Sequence, residues 1–261
     1  MNRMLKIAAG GTALAWIELY VLGAYAGIGP FGGLFHKRNG KLPGNSEQYD
    51  FRFLKEMADS PLKGKKIAVL GSSVSYGAYA MKQAVGEYLA ARFGCTLTKE
   101  TVSATTLADT MSMSYVKRLK KLDPLEHFDL FICQLSTNDA AQKKPLGEIC
   151  ADGEAPDCRT VTGAMEYIIR YVFRTWNCPV VFFTGSKYDN ERYAAMVQRL
   201  YELKEIYGIG ILDLWNDPQF NAISGKQRKL YMHDPVHPTR AGYRDWWGPE
   251  MEKQLMEYLK E

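Results

Sequence analysis

Four side chains have the types and spacing to do chemistry together. Ser73 follows an apolar run, Ile67 to Leu70, that stops at Gly71. Asn138 follows a second apolar run that ends near Leu135. Asp234 and His237 lie three apart on a turn stiffened by Pro235 and Pro238. A serine at a strand-to-helix turn presents its hydroxyl at the carboxyl edge of a sheet, where helix-start amides favour an anion. An imidazole can take the serine's proton, and a carboxylate can hold the required tautomer. An asparagine amide at a strand end suits a developing oxyanion. Each piece also has a plain reading. A small-residue turn often only joins a strand to a helix, and the late turn could simply cap the last helix through Asp234 or Thr239.

The order of these pieces resembles the SGNH (GDSL-type) hydrolase family. The family's first block, Gly-Asp-Ser and an apolar residue, stands here as Gly71-Ser72-Ser73-Val74. Its second block, which supplies a glycine amide, is nearest to Ser103-Ala104-Thr105-Thr106. Its Gly-x-Asn-Asp block stands as Ser136-Thr137-Asn138-Asp139, and its Asp-x-x-His-Pro block runs from Asp234 to Pro238. Three positions depart from the pattern: Ser72 replaces Asp, Ala104 replaces Gly and Ser136 replaces Gly. Alanine keeps an amide N–H but lacks glycine's freedom at positive φ. The resemblance implies Ser73 as nucleophile, His237 as base and Asp234 as its orienting partner. It also implies an oxyanion hole from the Ser73 and Ala104 amides with Asn138, and no metal or organic cofactor. His233 stands beside Asp234, but its spacing does not fit the block.

The elements that must position these residues alternate along the chain. Strand patterns cover 65–71, 96–102, 128–135, 179–184 and 209–214. Helical patterns cover 79–93, 107–122, 161–175, 190–207 and 241–259. The near-continuous apolar run at 128–135 suits a buried parallel strand. Such alternation predicts an α/β fold: a three-layer α/β/α sandwich on a parallel, roughly five-stranded, flavodoxin-like sheet, with its site outside the carboxyl ends of the strands.

The catalytic domain is expected over 65–261, after a linker at 36–64 that carries one short helix near 46–58. Residues 1–35 differ from the rest. Arg3 and Lys6 precede a stretch with Glu18 as its one charged residue up to Phe35. An uncleaved signal-anchor is the favoured reading, ahead of a cleaved signal peptide ending at Ala24-Tyr25-Ala26 and of a buried or amphipathic helix. Glu18 weighs against both export readings. An extracytoplasmic location, membrane-anchored or secreted, follows from them.

Hydrophobic residues make up 46% and charged residues 24% of the 261 positions, an ordinary globular balance. A net charge of +4 with no basic tract gives no reason to expect nucleic acid. The five cysteines do not have zinc-site spacing. Cys133 and Cys178 sit in apolar runs, whereas Cys150 and Cys158 bracket a polar loop that a disulfide would pin in an exported domain. Trp246 and Trp247 fall at helical spacing and read as core.

The resemblance implies an ester hydrolase acting by two-step acyl transfer. A short acyl group, acetyl first, on a carbohydrate or cell-envelope glycan is the expected substrate. Two alternatives stand beside it: a glycan O-acyltransferase using the same residues, and a degenerate carbohydrate-binding surface module.

Overall fold

A computed structural model describes residues 32–151 and 153–260. Five parallel strands form its sheet in the order β2-β1-β3-β4-β5: β1 Lys66–Gly71, β2 Thr96–Thr101, β3 Leu130–Gln134, β4 Val180–Phe183 and β5 Gly210–Leu212. This is the expected flavodoxin-like order. Chain direction across the sheet reverses at β1, so the loops leaving β1 and β3 diverge and open a crevice at the carboxyl edge.

Residue alternation along each strand divides the core into two layers. Ala68, Leu70, Phe131, Cys133, Val180 and Phe182 face one cluster. Ile67, Val69, Leu130, Ile132, Val181 and Phe183 face the other. The first layer is closed by helices Tyr115–Leu119, Val161–Trp176 and Glu191–Tyr207. The second is closed by Val85–Phe93 and Gly248–Tyr258. Both faces of β1, β3 and β4 are therefore buried, which is why those runs are apolar at nearly every position. Truncating a residue such as Ile132, wholly buried at the centre, would cost about 2–5 kcal/mol.

Several element boundaries differ from the sequence reading, each for a local reason. The helix expected over 79–93 begins only at Val85, because Gly77, at φ +74°, ends a short turn Ser73–Tyr76 and the chain loops before restarting. Of the stretch 107–122, only Tyr115–Leu119 is helical; Leu107 and Ala108 instead donate their amides to Asp139. The expected helix near 46–58 is replaced by 3-10 turns at Pro43–Asn45, Glu47–Tyr49 and Phe51–Phe53. Tertiary bonds fix these turns: Asp50 accepts from Gln83 Nε2 at 3.0 Å, and Phe51 donates its amide to Gln83 Oε1 at 3.1 Å. A helix not expected, Gly32–Asn39, precedes them.

The anchor or signal reading of 1–35 falls almost wholly outside the described residues. Among the described residues no helix is long and apolar enough to cross a membrane. The disulfide expected between Cys150 and Cys158 is not formed; both thiols are free. Cys158 turns its Sγ towards Pro156 O at 3.6 Å and packs on the first core layer, while the Cys150 amide is tied to Glu166 Oε2 at 3.0 Å.

Candidate active site

Ser73 opens the single turn Ser73–Tyr76 directly after β1. The turn is tight: a Cβ on Gly71 would come within 2.2 Å of Ser75 Oγ. Gln134, at the end of β3, holds it. Its Oε1 accepts from Ser72 N at 2.9 Å, Ser75 N at 3.0 Å and Ser75 Oγ at 2.9 Å. Its Nε2 donates to Ser72 Oγ at 3.0 Å. The serine standing in place of the family's aspartate is thus buried and bonded inward. From the opposite side, Tyr243 Oη donates to Val74 O at 2.6 Å.

The late turn folds back on itself. His233 N donates to His237 O at 2.9 Å, and Thr239 N to Tyr231 O at 2.7 Å. Within it, Asp234 Oδ1 accepts the Val236 and His237 amides, each at 2.9 Å. The same carboxylate reaches His237 Nδ1 at 2.8 Å through Oδ2. His237 Nε2 then lies 2.8 Å from Ser73 Oγ. The structure brings the three sequence-chosen residues into one hydrogen-bonded line. Burial pushes the Asp234 carboxyl up, but its bonds to His237 and to the two amides outweigh this and hold it below the usual carboxylate range. His233 does not join the line: its ring stacks on Tyr79, with centroids 3.9 Å apart.

The oxyanion candidates converge on the same cleft. The Ser73 amide begins a helical turn and so has no acceptor within it. Asn138 Nδ2 donates one proton to Thr105 O at 2.9 Å, leaving its second N–H for the cleft. Ala104 adopts φ +64°, a left-handed conformation that a glycine would take without strain. Ser136, the third departure, is buried against Thr105 O at 3.4 Å.

Two charged residues that the sequence reading missed hold this loop. Asp139 is buried, and its carboxylate accepts Leu107 N at 2.7 Å and Ala108 N at 3.0 Å. Burial raises its pKa to about 6 against the lowering effect of those amides and of Ser136. Arg118 is fully buried; its Nη2 donates to Gly71 O at 2.8 Å and to Thr105 Oγ1 at 2.9 Å. It thereby ties the strand before Ser73 to the loop bearing Ala104. Asp139 follows Asn138 directly and could have been sought as a clamp. Nothing in the sequence distinguishes Arg118 from the lysines and arginines around it.

The cleft has a volume of about 180 Å³ and is lined by Ser73, Ala104, Asn138 and His237, with Ala78, Tyr79 and Phe35 on one flank. Among the described residues no group of three or more His, Cys, Asp or Glu could hold a metal ion.

A parallel five-stranded α/β/α sandwich with polar loops gathered at the carboxyl edge of β1 and β3 defines a doubly wound α/β protein with its site at the switch point. The chain belongs to the GDSL-like lipase/acylhydrolase family, whose model matches residues 69–244, and it is an ester hydrolase. Similar solved structures include a protein from Lactobacillus plantarum, at 20% identity and TM-score 0.59, covering 76% of this chain and 97% of that one. A member of the lipolytic protein G-D-S-L family from Veillonella parvula matches at 14% identity and TM-score 0.52, covering 74% and 96%. An extracellular lipase from Streptomyces rimosus matches at 14% identity and TM-score 0.51, covering 73% and 100%. Likeness at these identities shows a shared fold. No curated protein matches the chain.

Proposed function

We propose that this esterase removes short acyl groups, acetyl foremost, from a carbohydrate or cell-envelope glycan, using Ser73, His237 and Asp234. The observation that carries the reading is the continuous line from Ser73 Oγ to His237 Nε2 at 2.8 Å and from His237 Nδ1 to Asp234 Oδ2 at 2.8 Å.

In the first step His237 Nε2 takes the Ser73 proton as Oγ bonds to the ester carbonyl carbon. The Ser73 and Ala104 amides and the Asn138 side chain stabilise the resulting oxyanion. Its collapse breaks the bond to the alcohol oxygen, which receives the proton from His237, and leaves acyl-Ser73. Water in the place the alcohol has left then gives a proton to His237 Nε2 as it bonds to the acyl carbon, and collapse of the second oxyanion breaks the bond to Ser73 Oγ, which takes that proton as the acid leaves. Asp234 holds Nδ1 protonated throughout, so that Nε2 stays the acceptor.

The small cleft favours a short acyl group. The glycan part rests on the export reading of the amino-terminal sequence, with an extracytoplasmic location. The test is a panel of aryl esters of rising acyl length together with acetylated oligosaccharides, assayed with wild type and Ser73→Ala. Acetyl ester hydrolysis that falls steeply with chain length, extends to the oligosaccharides and vanishes in Ser73→Ala supports the reading. Full activity in Ser73→Ala would remove the nucleophile assignment, and a preference for long acyl chains would remove the substrate assignment.

A further inference from the structure

Phe35 stands well before the family-matched stretch 69–244, yet it lines the cleft beside Ser73. It comes from the helix Gly32–Asn39, is 2% exposed, and meets Tyr79 edge to face with ring centroids 5.1 Å apart. Tyr79 in turn lies 4.9 Å from the His237 ring.

This strap is pinned against the site. Asn39 Nδ2 donates to Ala78 O at 3.1 Å, and Asn45 Nδ2 to Tyr79 O at 2.8 Å and to Asn39 O at 2.8 Å. Arg240 N, three residues past His237, donates to Asn45 Oδ1 at 2.8 Å. At Gly44 the strap runs so close that a Cβ would come within 2.1 Å of Leu230 O. Buried side-chain amides bonded to loop carbonyls on both sides fix the position of the Phe35 ring relative to His237.

We propose that Phe35 is a specificity-determining residue: with Tyr79 it forms the wall beside the departing alcohol and sets which alcohols the site accepts. The inference rests on the Ser73–His237 reading above. In that chemistry His237 Nε2 returns its proton to the alcohol oxygen, so the alcohol departs on the His237 side of Ser73. The oxyanion lies instead towards Ala104 and Asn138. Tyr79 is the aromatic ring against His237, and Phe35 backs it, so the strap bounds the alcohol position. A buried apolar wall discriminates by shape, at roughly 10–200-fold per methylene-sized mismatch.

The experiment compares wild type with Phe35→Ala, Phe35→Leu and Phe35→Trp. Two ester series are assayed: acetates of a slim alcohol (ethanol) and a bulky one (1-naphthol), and ethyl esters from acetate to hexanoate. The expected result is a rise of about tenfold or more in the bulky-to-slim kcat/KM ratio for Phe35→Ala. Phe35→Leu should give a smaller rise and Phe35→Trp a fall below wild type, with acyl-length preference unchanged in all three. Altered acyl-length preference would place Phe35 on the acyl side and overturn the proposal, as would unchanged alcohol ratios. Should Phe35→Ala fail to fold by circular dichroism, the opposite shifts of the Leu and Trp variants decide the matter. Ser73→Ala is run in parallel: persisting hydrolysis there marks failure of the site reading, whereas its loss with unmoved Phe35 ratios marks failure of this inference alone.

Discussion

The Asp139 carboxylate accepts the Leu107 amide at 2.7 Å, so the residue after Asn138 clamps the loop that carries Ala104. Two of the proposed oxyanion donors are therefore positioned by one buried acid. The clamp is electrostatically costly. A carboxylate with no exposed surface loses its hydration, and two amides and a hydroxyl compensate only in part, leaving its pKa at about 6.

That cost has a signed consequence for stability. An unfolded aspartate titrates near ~3.9, so between about pH 4 and pH 6 the folded chain binds a proton that the unfolded chain does not. This site's contribution to stability therefore rises as pH falls through 6 and is complete near 4, on the order of 2–3 kcal/mol over the whole window. The melting temperature of wild type minus that of Asp139→Asn should increase on going from pH 7 to pH 5, as read by calorimetry. A decrease would mean that the loop amides dominate and that the folded carboxyl is the stronger acid. In activity, Asp139→Asn sets an amide N–H against one of the loop N–H groups and should lower kcat roughly tenfold with little change in KM.

Ala104 provides a separate test of the same loop. At φ +64° an alanine carries a strain of roughly 1–2 kcal/mol, which a glycine would not. The greater unfolded-state freedom of glycine offsets most of this, so Ala104→Gly should change stability little and keep kcat within about threefold. A β-branched residue is far worse at positive φ. Ala104→Val should therefore displace the amide and lower kcat by about 10²–10³-fold, the scale of losing one oxyanion donor. Comparable kcat in all three proteins would show that this amide does not face the reacting carbonyl.

How much of this was legible in the sequence depends on the range of the interactions. The strands could be read because β1, β3 and β4 are buried on both faces and their apolar runs are nearly unbroken. Ser73, Asn138, Asp234 and His237 could be read because each sits in a short block of fixed spacing, and the structure places them around one cleft. The stretch 107–114 reads as helix in sequence but is not one, because distant acceptors divert its amides: Asp139 takes those of Leu107 and Ala108, and Cys158 O that of Asp109. Phe35, at the end of the signal or anchor reading, and Asn45, in the linker, give no site signal because their partners, Tyr79 and Arg240, are far along the chain. Arg118 gives no local signal, since its acceptors at 2.8–3.0 Å are three backbone carbonyls and one of many threonine hydroxyls.

Asp234→Asn separates orientation from loop architecture. Asp234 Oδ1 accepts the Val236 and His237 amides, bonds that an asparagine oxygen can keep, so the turn should stay folded. The amide nitrogen would then face Nδ1 and favour the wrong tautomer. The comparable change in a serine protease costs roughly 10⁴-fold in kcat. A loss of about 10²–10⁴-fold is expected here, because the doubled-back turn holds His237 through its backbone as well. Near wild-type kcat in Asp234→Asn, with the variant folded, would remove Asp234 from the reaction.

Arg118 joins the two halves of the site, and its replacement tests whether that join matters for turnover. Its guanidinium donates to Gly71 O, Thr105 Oγ1, Glu100 O and, through Nε, Met113 O, all within 2.8–3.0 Å. A lysine ammonium is a compact point charge and cannot span these four acceptors. Arg118→Met, which removes all four bonds, should lose about 3–5 kcal/mol, whereas Arg118→Lys should remain folded with a lower melting temperature. The catalytic signature is a fall in kcat of roughly 10-fold or more for Arg118→Lys at nearly constant KM, since the loop and the nucleophile strand would be free to shift against each other. Combining Arg118→Lys with Ala104→Gly distinguishes positioning from bulk destabilisation. The glycine needs no support to hold a positive φ, so the double variant should recover part of the lost kcat without recovering the lost melting temperature. Strictly additive effects on kcat would mean that Arg118 stabilises the fold without orienting the Ala104 amide.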